Sequence, residues 1–306
     1  MWKDWLRPFV RALPQWSPVA IPSPQQVVAA SLRSDDGKSR DVTAAHTVAS
    51  LKPLTIATGF DAGQRAVLEY RDNATGTLLG VLRLVRTDSV VTGGTPVAFY
   101  RIAAGEHHCL GWPRRSWNAW LQNRAMRRSP HPSLMDFDAV QQLMIAYLCP
   151  RPVVLVSVAA PGHSNIFPMD LIGPLEQGGL FSLALRSTNV SVPVMRTVRQ
   201  VALSGMPATM KAIVYKLAEH HRQPLHDWAA LPFPARPSQT FGIPAVAAAL
   251  RVRELTIVDS REIGSHVFFL CRVVSEQDLA EGPQLHHTAG FHQAFRRRQG
   301  MPLADA

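Results

Sequence analysis

Leu185-Arg186-Ser187-Thr188-Asn189-Val190-Ser191 follows the apolar run from Phe181 and precedes an apolar-periodic stretch from Val192 to Arg199. The pattern reads as a strand that ends in a polar turn and continues as a helix. The turn presents a guanidinium, several hydroxyls and a side-chain amide, next to the free N–H groups and positive dipole end of the helix. Such an assembly can satisfy a phosphate dianion from several directions at once. On these residues alone a second reading stands beside it, in which Ser191 or Asn189 simply caps the helix.

Outward from this turn the order of elements is mostly β with interposed helices. A helix is expected over Met135 to Leu148, and a fully buried strand over Val153 to Ala160. Further strands are expected at Ile166 to Leu171, Phe181 to Arg186, Val201 to Met206, Ala245 to Val258 and His266 to Ser275, with helices at Val192 to Arg199 and Ala208 to His221. Pro232, Pro234, Pro237, Gly242 and Pro244 mark a loop from Leu231 to Pro244.

Toward the N-terminus, alternating runs predict strands at Val27 to Arg33, Leu51 to Ala57, Ala66 to Arg71, Leu78 to Val85 and Val97 to Ile102. Asp72-Asn73-Ala74-Thr75-Gly76 supplies a hairpin turn. Ser129-Pro130-His131-Pro132-Ser133 breaks the pattern and marks a boundary. Three parts are expected: an N-terminal helix and connector over 1–24, a small β-rich domain over 25–133 that ends in a basic helix, and a second domain over 134–306. The fold class is mainly β with helices (α+β), a barrel with helical decoration rather than a doubly wound parallel sheet. No internal repeat of fixed period is evident.

Lys plus Arg number 32 against 22 Asp plus Glu in 306 residues, a net charge of +10 that is nearly all arginine, because lysine stands only at 3, 38, 52, 211 and 216. This charge suits a phosphate-bearing partner and also simple solubility. Cys109, Cys149 and Cys271 are odd in number and far apart, which argues against a disulfide framework and for a reducing, cytoplasmic setting. No run of eighteen apolar residues exists, and Lys3, Asp4, Arg7 and Arg11 interrupt any signal-peptide core. Trp2, Trp5, Leu6, Phe9 and Leu13 fall at helical spacing, as expected of a helix packed on the protein body, with a membrane interface as the alternative.

Trp112 to Arg128 interleaves tryptophans with arginines and is read as a basic helix covering a core, with nucleic-acid stacking as the alternative. His107-His108-Cys109 and His286-His287 with His292 contain metal-ligand types, but neighbours on a strand point to opposite faces, so no metal site is expected. Arg296-Arg297-Arg298 is read as a solvated tail or a helix end. No GxSxG, HExxH or Walker-type loop is present.

The succession Pro150-Arg151-Pro152, Asn165 to Asp170, Phe181 to Ser191, Val201 to Met206, Gly242-Ile243-Pro244 and Gly264-Ser265-His266 resembles the flavin reductase-like, FMN-binding split-barrel family over about residues 135 to 295. The resemblance implies an FMN-binding split β-barrel. It places Asn165 beside the isoalloxazine, and Arg186, Ser187, Thr188, Asn189 and Ser191 at the FMN phosphate. Backbone amides near Met169, Asp170 and Leu171 would meet the ring edge, and His266 would stand near the nicotinamide of NADH or NADPH as the one titratable catalytic candidate. Two departures are visible: Ser265 stands where Asp is usual, and Ile166-Phe167-Pro168-Met169-Asp170 replaces a Ser- and Thr-rich segment, which would bring bulky groups and a carboxylate near the ring. The N-terminal region resembles no family.

The implied activity is an NAD(P)H-dependent flavin reductase passing hydride from nicotinamide to flavin, in a homodimer with FMN near the subunit interface and with an unidentified electron acceptor or partner protein. The alternatives are a non-catalytic flavin-binding or sensory protein and a nucleic-acid binder.

Overall fold

The computed structural model describes residues 12–130, 133–175, 179–225 and 227–306. The helix expected over Met1 to Pro14 lies outside the described residues but for its last three. The described chain begins with strand β1 (Trp16–Ile21), followed by β2 (Val28–Ser34), β3 (Ser39–Asp41), β4 (His46–Leu51), β5 (Leu54–Thr58), β6 (Arg65–Asp72), β7 (Leu78–Thr92) and β8 (Thr95–His107). Helices α1 (Trp112–Arg128) and α2 (Phe137–Ala146) come next. After them run β9 (Arg151–Pro152), β10 (Val154–Ala160), β11 (His163–Met169), β12 (Ile172–Pro174), β13 (Leu180–Arg186), α3 (Val192–Val198), β14 (Gln200–Gly205) and α4 (Lys211–Lys216). The chain ends with β15 (Ala235–Pro237), β16 (Pro244–Val246), β17 (Arg251–Ile263), β18 (His266–Asp278), β19 (Gln284–Ala289), α5 (Gly290–Arg298) and β20 (Ala304–Asp305).

Two seven-stranded antiparallel sheets dominate. The first has the order β3-β2-β6-β7-β8-β5-β4 and the second β11-β10-β14-β17-β18-β13-β12. The second is the split barrel, closed around Val156, Phe167, Leu183, Leu203, Leu255 and Phe269. Period-two alternation in β18 explains how it serves two cores. Val267, Phe269 and Cys271 point into the barrel, while Phe268 and Leu270 point outward to meet Val97 and Phe99 of β8. The rings of Phe99 and Phe268 meet edge to face, 5.2 Å apart. On the opposite face of β8, Ala98, Tyr100 and Ile102 join Leu143, Ile145 and Leu148 around α2.

The part read as a connector is instead joined to the far end of the chain, for β1 pairs along its whole length with β19. Helix α2, placed by the sequence in the second domain, packs on the first sheet. The single strand expected over Leu51 to Ala57 is the β4–β5 hairpin. Pro53, with no N–H and a fixed φ, cannot continue a central strand and sits at the turn. The strand expected over Ala245 to Val258 is likewise two, because β16 leaves to pair with β15, which itself lies inside the expected loop. Arg296 to Arg298 form the last turn of α5.

Helix α1 reverses its expected orientation. It buries Asn118 and Gln122, which bond the Leu13 backbone, and leaves Trp112, Trp117 and Trp120 exposed. Satisfying the amide partners decides the facing, because an unpaired buried backbone group costs more than an exposed indole. Trp117 and Trp120 shield each other by stacking at 4.8 Å.

Among the described residues, five histidines, at 46, 107, 266, 286 and 292, are buried. Burial drives their pKa values down, to about 3 for His46 and His292 and about 4 for His107, His266 and His286. The unfolded chain takes up protons below about 6.5 while the fold refuses them until about 4. Stability is therefore complete above pH 6.5 and lost as pH falls, by about 1.4 kcal/mol per pH unit for each such histidine. Urea unfolding at pH 7 and pH 5 is expected to show a clearly lower midpoint at pH 5.

Candidate functional site

Strand β13 carries the site. Leu183 and Leu185 fill the barrel, and at the strand end Arg186 emerges with Ser187 and Thr188 into solvent. The turn is held by backbone bonds from the Ser187 N–H to the Ser265 carbonyl at 3.1 Å and from the Asn189 N–H to the Arg186 carbonyl at 2.9 Å. Asn189 is buried, and its Oδ1 accepts the Ser191 N–H at 2.8 Å. Its amide donates to His221 Nδ1 at 2.8 Å, and His221 Nε2–H donates to the Pro168 carbonyl at 2.9 Å. Burial, and then the nearby Arg186 charge, lower the His221 pKa and fit this neutral tautomer.

Ser191 stands at the N-cap of α3 without a side-chain capping bond, so the capping reading is not met there. Asn189 and Ser191 build the turn, while among the described residues no hydrogen bond or ion pair holds the Arg186 guanidinium or the hydroxyls of Ser187 and Thr188.

A cavity of about 690 Å3 opens beside them. Met169, Asp170, Leu171, Arg186, Thr188, Asn189 and His266, all candidates from the sequence, line it together. Ser191 lies behind the wall, and so does Asn165, which corrects its expected place beside a ring. Asn165 is fully buried: its amide donates to Ser191 Oγ and to the His220 carbonyl, both at 2.8 Å, and its Oδ1 accepts the Ile166 N–H. With those bonds made, it is a strut between β11 and the turn. Ile166 and Phe167 also point into packed cores rather than toward the cavity.

His266 is 1% exposed. Its Nδ1 accepts from Ser265 Oγ at 2.9 Å and from the Leu51 N–H at 3.4 Å, and Ser265 Oγ in turn accepts the Lys52 N–H at 3.1 Å. Acceptance at Nδ1 leaves the ring proton on Nε2. Burial, with Arg186 adding to it, pushes the pKa down to about 4, so the ring is neutral at pH 7.

Asp170 shares its Oδ2 between Tyr147 Oη at 2.9 Å and His287 Nδ1 at 2.7 Å, and His287 Nε2 meets Tyr215 Oη at 2.7 Å. Burial alone would raise the Asp170 pKa. The His287 and Tyr147 bonds and the Arg151 charge outweigh it and hold the group ionised.

Leu51, His221 and Arg222 also line it, as does the carboxylate of Glu219, and none was legible in the sequence. Leu51 comes from the other sheet, and the others follow α4, far along the chain from the turn. Among the described residues no three His, Cys, Asp or Glu gather as a metal site, and no helix is long and apolar enough to cross a membrane.

Residues 146–294 match the family model of the flavin reductase like domain. This stretch is a flavin reductase-like domain. Similar solved structures include the NADH:FAD oxidoreductase SgcE6 of Streptomyces globisporus C-1027, 18% identical over 53% of this chain and 95% of that one, with a TM-score of 0.45. An FMN-binding protein from Thermus thermophilus is 20% identical over 49% and 79%, with a TM-score of 0.40. BorF, the flavin reductase component of a bacterial two-component tryptophan halogenase, is 15% identical over 50% and 95%, with a TM-score of 0.44. Comparison with curated proteins finds no match.

Proposed function

We propose that the chain is an FMN-dependent oxidoreductase in which hydride passes from NADH or NADPH to the flavin. The observation that carries this reading is the unpartnered Arg186, with Thr188 beside it and Ser187 next along the turn, at the edge of a cavity large enough for a nucleotide and lined, apart from Leu51, by the flavin reductase-like domain. A guanidinium left free beside two free hydroxyls is a donor set suited to a phosphate dianion. Arg222 adds a second exposed cation to the same wall.

When bound, flavin supplies the hydride chemistry, and the protein supplies binding, orientation and electrostatics. Arg186, Ser187 and Thr188 hold the phosphate, and the backbone of Met169 to Leu171 flanks the ring edge. His266, neutral and donating from Nε2, orients the carboxamide of the nicotinamide. Asp170 stays ionised in its Tyr147 and His287 bonds and tunes the local field rather than giving up a proton. The reducing equivalents would serve an acceptor protein; BorF is an example of a flavin reductase that forms one component of a two-component enzyme.

The test pairs two ligands. Replacing Arg186 with alanine removes a charge-assisted contact worth about 1.5 to 3 kcal/mol, so FMN should bind one to two orders of magnitude more weakly, with riboflavin changed far less. Oxidation of NADH or NADPH should fall with FMN occupancy. Equal losses for FMN and riboflavin would take Arg186 away from the phosphate, and tight FMN binding without turnover by either nicotinamide would leave a flavin-binding protein that is not a reductase.

A further inference from the structure

We propose that the first sheet is a second, degenerate copy of the split barrel, docked where a partner subunit would sit, so that a single chain completes one flavin site from its own two halves. The flavin clause rests on the function proposed above; the duplication rests on geometry alone.

The pairings of the first sheet, β2–β3, β2–β6, β6–β7, β7–β8, β5–β8 and β4–β5, have their counterparts in β10–β11, β10–β14, β14–β17, β17–β18, β13–β18 and β12–β13, all antiparallel. The long hairpins agree residue by residue. Ladder irregularities fall between Arg83 and Leu84 and between Arg86 and Asp88 in one, and between Glu254 and Leu255 and between Ile257 and Asp259 in the other. The same constant step carries Thr92, Thr95 and His107 onto Ile263, His266 and Asp278, the corresponding strand ends. It also carries Asp88-Ser89 onto Asp259-Ser260, where each aspartate Oδ1 accepts the next amide at 2.8 Å. Gly93 and Gly264 open the two turns with φ of 59° and 56°.

The two copies meet as subunits of a two-fold dimer do, each patch against its own equivalent. Val97 and Phe99 correspond to Phe268 and Leu270, and all four share one core. Thr47 lies opposite Ala57 as Gly173 lies opposite Ser182, which makes Thr47 and Gly173 equivalents, and a Cβ at Gly173 would stand 3.7 Å from that of Thr47. A residue that touches its own equivalent lies on the axis.

The same relation generates two cavities. The one at Arg186 takes Leu51 from the β4–β5 turn of the other copy. Its mate, about 640 Å3, takes Leu175 from the chain between β12 and β13 and is lined by Val42 to Ala45, Phe60 and Thr95. Thr95 stands in the place of His266. Asp61, next after Phe60, stands in the place of Arg186 and is bound by Arg86 at 2.5 Å. No helix separates β5 from β6 as α3 separates β13 from β14. The mate cavity therefore lacks an equivalent of Arg186, and its lining cation, Arg40, comes from β3 and lies over the Phe60 ring, 4.8 Å from the centroid. The homodimer implied by the family resemblance is replaced here by pairing within the chain, with one flavin per chain.

Two measurements on the full chain decide this. In Thr47→Cys/Gly173→Cys the Cβ separation suits a disulfide, and the native cysteines are buried and do not compete. Oxidation should give an intrachain cross-link of single-chain mass; an interchain dimer, or no cross-link, overturns the pairing. Calorimetric titration should give one FMN per chain, and Leu51→Glu should bind FMN at least about tenfold more weakly while the ligand-free unfolding midpoint shifts little. Leu51→Trp serves as a second variant if the first fails to fold. Two FMN per chain, or wild-type affinity in a folded Leu51 variant, overturns the shared site. If the wild-type chain binds no flavin, the function proposed above falls, and the cross-link still decides the duplication.

Discussion

Replacing Phe268 with alanine is expected to lower the stability of the whole chain by about 3 to 5 kcal/mol. Phe268 is fully buried between the two sheets, edge to face with Phe99. Its removal forfeits the transfer of a large aromatic from water and leaves a space lined by Val97, Ala184 and Leu270 that rigid sheets on both sides cannot close. The loss reaches the site as well, since the same packing holds the β4–β5 turn against β18, where the Leu51 N–H bonds His266 and the Lys52 N–H bonds Ser265. Denaturant unfolding measures the first effect and FMN affinity the second. A loss below about 1 kcal/mol would mean that the sheets are not packed on each other as described.

Arg296→Ala is the second large loss, at about 3 to 5 kcal/mol. Asp72 has no solvent exposure and accepts from Arg296 Nη1 at 2.5 Å, besides the N–H groups of Ala74 and Thr75. Burial works to raise the Asp72 pKa, while Arg296 and the Thr75 bonds pull it down further. Without the guanidinium a buried carboxylate remains in the β6–β7 turn with only neutral donors. Arg296→Ala/Asp72→Asn, which removes both charges, should recover part of the loss, and a single variant as stable as wild type would contradict the pairing.

The legible parts of this sequence are those where local chemistry and burial agree. The Asp72 turn, the alternation in β6 and the run from Val154 all appear where expected because one face, or both, is fixed by the same core. The polar turn at Arg186 was visible because strand, turn and helix follow one another within a few residues. Contacts made by distant residues were not visible. Asn165 belongs to the site's frame, and only the positions of Ser191 and His220 show it. Leu51 reaches the cavity from another sheet. The tryptophans of α1 face outward because Asn118 and Gln122 answer to the Leu13 backbone. The duplication escaped because matching positions hold different residues, as with Thr95 and His266 or Asp61 and Arg186. Sheet order depends on where polar and apolar faces fall, not on identity.

The most direct test is thermal unfolding of the purified, flavin-free chain across increasing FMN. A ligand that binds the folded state alone must stabilise it by mass action, by about 2.7 kcal/mol at one hundred times the dissociation constant. The expected result is a midpoint that climbs with FMN and climbs less with riboflavin at equal concentration. A midpoint indifferent to FMN at millimolar concentration would contradict the assignment of the Arg186 cavity as a flavin site.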